Sequence, residues 1–209
     1  MIWPLLKIYF NIPSIKNKFN ITENHSDKLT NNLVSATHSI GSILLNMFYF
    51  LKNNNYILNT SVFYSYSYFL YDSYQIIINK RKESYNYVIH HIAALILLED
   101  VYYNYDRHLL LYLYMLAEIS NLPNYYIYHK LKYTQSYKLR YLQLYQVIWF
   151  SFFRIAVYSF YVKDCMKNVK HNLTKIILLL IFGMGGLWTF GQFKGVYLLF
   201  KNKNIKIKN

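Results

Sequence analysis

The chain has 209 residues, of which 55% are hydrophobic and 20% aromatic against only 15% charged. A soluble domain of this length shows narrower apolar stripes and more charge, so an ordinary water-soluble globule is excluded. The net charge of +14 does not revive a nucleic-acid role, because the Lys and Arg residues fall between apolar runs, as charges flanking membrane spans do.

The N-terminal MIWPLLKIYF is interrupted by Pro4 and Lys7 and is too short for a signal peptide. The first true span is therefore expected to act as the insertion signal, with residues 1–30 a cytosolic arm. Six apolar stretches follow, each near the ~20 residues a helix needs to cross hydrocarbon. They cover residues 33–51, 60–79, 85–103, 108–128, 142–162 and 173–200. The fourth carries Pro123, which should kink it or end its regular part. Five of the six glycines (Gly183, Gly185, Gly186, Gly191 and Gly195) lie in the sixth, where small residues let helices approach closely. Residues 31–201 thus form one transmembrane domain, and residues 202–209 a basic cytosolic tail. The 25 tyrosines pull mean hydropathy toward zero and hide these spans from a simple threshold. Cys165 is the only cysteine, so an intrachain disulfide and a cysteine-based metal site are both excluded.

Basic residues orient the bundle. With six spans, Lys7, Lys16, Lys18, Lys28, Lys80, Arg81, Lys82, Lys130, Lys132, Lys138, Arg140, Lys201, Lys203, Lys206 and Lys208 share one side. The other side holds Lys52, Arg107, Lys163, Lys167, Lys170 and Lys175. This bias of fifteen to six puts both termini in the cytosol.

Each span also carries polar residues at helical spacing: Ser35, Ser39, Ser42 and Asn46 in the first, Ser61, Ser65, Tyr68, Asp72 and Gln75 in the second, Tyr114, Glu118, Asn121 and Tyr125 in the fourth. Such seams face one another rather than lipid. The third span opens with His90 and His91. A charged group in hydrocarbon costs about 2.5–3.5 kcal/mol, and a neutral imidazole less, so residues of this kind face a bundle interior or cavity and are candidates for function. The plainer alternative is that the imidazoles only tie helices together. At 1.5 Å per residue the pair lies roughly 8–9 Å inside the cytosolic end. His38, Asp72, Glu118 and Lys194 fall in the same half, although Lys194 could equally snorkel to the interface. Arg154 lies deeper, where it needs a partner and is read as half of a structural ion pair.

Four stretches resemble the TLC-domain family, which includes translocation-associated membrane proteins, ceramide synthases and a ceroid-lipofuscinosis protein. They are SATHSIG at 35–41, YFLYD at 68–72, RKESYNYVIHH at 81–91 and EISN at 118–121, with SFFR at 151–154 a weaker match. The resemblance implies an all-α polytopic bundle of six helices, in two sets of three around an intramembrane cavity, usually in the endoplasmic reticulum. In ceramide synthases the double histidine belongs to the acyl-transfer site, a role that would fall on His90 and His91. The aspartate-rich motif of those enzymes is replaced here by LAEISN at 116–121. The closer likeness is to small TLC proteins linked to phospholipid composition.

The expected function is therefore to bind or act on membrane lipids, with His90 and His91 as catalytic candidates and His38, Tyr68, Asp72, Glu118 and Lys194 around the cavity. One alternative is an acyltransferase, with a histidine as general base or acyl acceptor and acyl-CoA as co-substrate. A second is a small-solute or lipid transporter, although no pair of spans shows matching Gly/Pro interruptions. No metal or resident cofactor is expected, because scattered histidines form no di-iron box. Membrane lipids are the expected partners, and nucleic acid is not.

Overall fold

The computed structural model describes residues 2–21, 26–79, 85–103, 107–131 and 138–201, and these form helices joined by short connections, without strands. In chain order they are α1 (Ile2–Asn11), α2 (Pro13–Lys18), α3 (Ser26–Lys52), α4 (Asn55–Ile78), α5 (Tyr85–Tyr102), α6 (Arg107–Leu131) and α7 (Lys138–Ser151). A π-helical turn at Phe152–Val157 joins α7 to α8 (Tyr158–Asn168), and α9 (Asn172–Lys201) ends the described chain. The basic residues Lys80, Arg81, Lys82 and Lys132 lie outside the described residues, as does the tail beyond Lys201.

The turn between α3 and α4 is written in asparagines. Asn53 takes a left-handed φ of 47°, which Asn tolerates better than most residues, and its N–H donates to Tyr49 O at 2.7 Å to finish α3. Asn54 then caps α4, its side chain accepting from Tyr56 N at 2.7 Å.

The long helices form a ring. Going round it, α3 packs on α4, α4 on α5, α5 on α9, α9 on α7, α7 on α6, and α6 returns to α3. At one end α5, α6, α8 and α9 also close on one another. Leu98, Val101, Leu110, Leu113, Val162, Cys165 and Leu178 fill that end. A bond from Thr174 to Asp100 ties α9 to α5 there. Polar seams hold the first pair of helices together, with Ser61 donating to Asn46 at 2.5 Å, Ser65 meeting Ser42 at 3.5 Å and Tyr68 donating to Ser35 at 2.7 Å. Large apolar side chains cover the outside, among them Leu44, Phe48, Phe63, Leu70, Leu187 and Phe190. A surface of this kind suits hydrocarbon as solvent. Among the described residues, Ser26–Lys52 and Asn172–Lys201 are long and apolar enough to cross a membrane.

Pro123 sits inside α6 without ending it. Lacking an N–H, it leaves the carbonyl of Ile119 without its helical donor. The Trp149 indole donates to that oxygen at 3.0 Å from α7.

The glycines of α9 play a different part from the close helix contact expected of them. A Cβ at Gly183, Gly186, Gly191 or Gly195 would meet nothing within 4 Å. At Gly185 it would meet the stem of Arg154 at 3.6 Å. The tight contact is instead at Gly41 on α3, where the Tyr64 ring occupies the space a side chain would need.

The N-terminal segment folds back on the bundle. Helix α1 packs against α3 and α4, with Trp3 only 1% exposed. Its indole donates to Ser67 at 2.8 Å, and Lys7 Nζ donates to Gln75 at 3.1 Å. Ile2, Leu5, Ile8 and Ile12 face outward.

Candidate functional site

At the end of the ring opposite the apolar closure, the helices enclose a cavity of about 670 Å³. Its walls come from the start of α3, the end of α4, the start of α5, the second half of α6, and parts of α7 and α9. It reaches outward to the exposed residues Lys28 and Leu131. Beyond it, Ala94, Leu97, Leu98 and Val101 line a narrow apolar crevice of about 30 Å³. Phe69, His90 and Glu118 line both spaces.

His91 is 5% exposed and bridges α5 to α4. Ser73 Oγ lies 3.2 Å from its Nδ1 and Asp72 Oδ2 lies 3.7 Å from its Nε2, so two adjacent residues of α4 hold the ring from both nitrogens. The Phe69 ring, centred 5.1 Å away, packs beside it. His90, one residue earlier and so ~100° round the helix, faces the cavity instead. Its ring meets that of Trp188 on α9 edge-to-face with centroids 5.2 Å apart, and its Nδ1 is buried without a hydrogen-bond partner among the described residues.

His38 is 1% exposed and stacks on Tyr68 with ring centroids 3.9 Å apart. Tyr114 OH meets its Nε2 at 3.3 Å, and Trp3 approaches from the outer side at 5.6 Å. Glu118 is 6% exposed and accepts a hydrogen bond from Ser39, whose hydroxyl also lies 3.2 Å from Tyr125 OH. One wall of the cavity is thus a continuous polar network between α3 and α6.

Arg154 occupies the opposite wall, at the base of a stripe that runs from Gln146 and Phe150 on α7 into the π-helical turn. Placed by the π-helical turn, it is 2% exposed and lines the same cavity as the histidines, so the expectation that it lies apart from them is corrected. Among the described residues no carboxylate lies within 4 Å of it, so the expected ion pair is not formed there. The close contacts between acidic and basic side chains among them are Lys7–Asp27 at 4.0 Å and His91–Asp72 at 3.7 Å, the latter an ion pair only when the imidazole is protonated. Arg154 Nε donates to Ser120 Oγ at 3.1 Å. Lys194 does not line the cavity. It is exposed on α9, about 20° outside the arc that Leu187, Trp188, Gly191 and Gln192 turn to the cavity.

The structure therefore brings His38, Tyr68, Asp72, His90, His91, Glu118 and Arg154 to one cavity and leaves Lys194 out. The reading of the sequence did not single out Ser120, Trp188 or Gln192. The last two are four residues apart in α9, a spacing that would have marked a polar-aromatic stripe. Among the described residues, no group of three or more His, Cys, Asp or Glu side chains could hold a metal ion.

The family described as the TLC domain matches residues 28–201, from the start of α3 to the end of α9. The chain belongs to the TLC-domain family. No curated protein and no solved structure matches it. Family and apolar helices together make this TLC-domain protein a lipid-associated membrane protein. The two adjacent histidines are split between two environments, one imidazole held by α4 and one facing the cavity.

Proposed function

We propose that this protein crosses the bilayer six times, with both termini cytosolic, and binds or acts on membrane lipids through the cavity around His90 and His91, serving lipid homeostasis in the endoplasmic reticulum. The observation that carries this reading is the pairing of two chemistries in one space. The chamber of about 670 Å³ has His90, Glu118 and Arg154 on its walls beside the apolar Phe69, Ile76, Phe150 and Leu187. A headgroup and an acyl chain ask for that combination.

Acyl transfer from acyl-CoA is the second reading, and the histidine geometry favours it. A cavity-facing His90, beside a His91 fixed by Asp72 and Ser73, has the form of a general base or acyl acceptor with an ordered neighbour. A transporter fits less well, because α5, α6, α8 and α9 close the far end with apolar packing.

Lipidomics on cells expressing the wild type beside a His90→Ala/His91→Ala variant tests the proposal. A change in lipid composition that the variant abolishes supports chemistry at the histidines. An equal change with both proteins supports binding alone, and no change with the wild type overturns the lipid role.

A further inference from the structure

Resting on the lipid-cavity reading, we propose that Arg154 anchors an oxyanion carried by the bound lipid, a phosphate or a carboxylate, within the cavity. A guanidinium taken out of water needs a counter-charge or a full set of acceptors, because an uncompensated buried cation is strongly destabilising. Arg154 is 2% exposed, and no carboxylate among the described residues lies within 4 Å of its guanidinium; Glu118 feels its charge only across the cavity they share. Its Nη1 is buried with no hydrogen-bond partner among the described residues.

The surroundings hold the guanidinium in place. Ser120 donates its own proton to Ala117 O at 2.6 Å, which commits its oxygen as the acceptor for Arg154 Nε at 3.1 Å. The Phe150 ring lies 5.7 Å from the guanidinium carbon, and Gly185 leaves room for the stem. What remains is a fixed set of N–H groups at the cavity wall, and the planar fork of Arg matches the oxygens of phosphate and carboxylate. His90 Nδ1, buried and without a partner on the same cavity, offers a second polar contact. The carboxylates of the cavity have direct contacts of their own, Glu118 with Ser39 and Asp72 with His91, so Glu118 acts on Arg154 at a distance without filling the place beside its Nη1.

The test uses the purified full-length protein in detergent, offered phosphatidic acid, free fatty acid and diacylglycerol of matched chains in competition, with retained lipid read by native mass spectrometry. The wild type should retain one or both acidic lipids at least about tenfold over diacylglycerol, the scale of a hydrogen bond to a charged group. Preference for phosphatidic acid assigns a phosphate, and preference for fatty acid a carboxylate. Arg154→Gln should erase the preference while diacylglycerol is still retained, and Arg154→Lys should keep part of it. Equal retention of all three lipids by the wild type overturns the proposal, as does a preference unchanged in Arg154→Gln. If that variant does not fold, the wild-type ratio decides alone. Gly191→Trp, which places an indole in the cavity from a position with nothing within 4 Å of its Cβ, separates the two readings. If it retains lipid like the wild type, the lipid sits outside the cavity and both fail. If it loses lipid while the wild type shows no acidic preference, only the Arg154 proposal fails.

Discussion

Trp149 donates its indole N–H to the carbonyl of Ile119 at 3.0 Å, the acceptor left over by Pro123 four residues further along α6. A neighbouring helix thus supplies the hydrogen bond that proline removes, which is how a membrane helix tolerates proline in its interior. Trp149→Phe should cost about 1–3 kcal/mol, the range for a buried acceptor left unpaired. In a Pro123→Ala background the helix supplies its own N–H, and the same change should cost distinctly less. Thermal unfolding of the four proteins in detergent gives the cycle, and equal costs in both backgrounds would refute the compensation.

Trp3→Ala should destabilise the protein by about 3–5 kcal/mol, as large-to-small changes at fully buried aromatics do. The indole is 1% exposed, bonds to Ser67 and contacts the rings of His38, Tyr64 and Tyr68. A melting temperature within error of the wild type would mean that α1 does not dock on the bundle in solution.

Glycine substitutions should split by position. Gly183→Ala and Gly186→Ala meet open space and remove a weak helix former, so they should be neutral or stabilising by up to about 1 kcal/mol. Gly41→Ala drives a methyl into the Tyr64 ring, whose hydroxyl donates to Thr37 O at 3.1 Å, and should cost about 1–3 kcal/mol. Melting curves that rank the three alike would contradict the packing described.

The two adjacent histidines should behave differently. His91→Ala removes the Ser73 and Asp72 contacts and should lower stability by about 1–3 kcal/mol. His90→Ala has no bond to lose at Nδ1 and should stay within about 1 kcal/mol of the wild type while abolishing any lipid phenotype. The opposite pattern, a destabilised His90 variant and a silent His91 variant, would reverse the roles.

Topology is testable separately. With both termini cytosolic, the sequon at Asn20 stays unglycosylated in cells, as does the one at Asn24, which lies outside the described residues. A C-terminal reporter reachable only from the lumen would reverse the orientation.

The six long helical stretches were legible because apolar runs of this length have few other ways to satisfy their backbone. The starts of the first two are less legible than their ends. The span read at 33–51 is the helix Ser26–Lys52, because a helix continues past hydrocarbon into polar residues that periodicity does not flag. The shared layer of His38, Asp72, His90, His91 and Glu118 came from counting along each helix, which fixes depth but not direction. Lys194 shows the gap: it falls in the same half of the bundle but lies just outside the face that Leu187 and Gly191 turn to the cavity. Arg154 shows another. With Gln146 and Phe150 it recurs every four residues and so shares their face, a direction that counting depth along the helix does not read. The docking of α1 rests on Trp3 fitting against α3 and α4, a contact between distant segments with no local signature.

The closed ring has a consequence for whatever the cavity holds. Because α5, α6, α8 and α9 meet in apolar packing at one end, the chamber is a cul-de-sac rather than a corridor. In a bilayer crossed by these helices, an occupant would leave through the doorway it came in by. On the proposed lipid role, a lipid held here would return to the leaflet it came from, and the protein would change the content of one face of the membrane without scrambling the two.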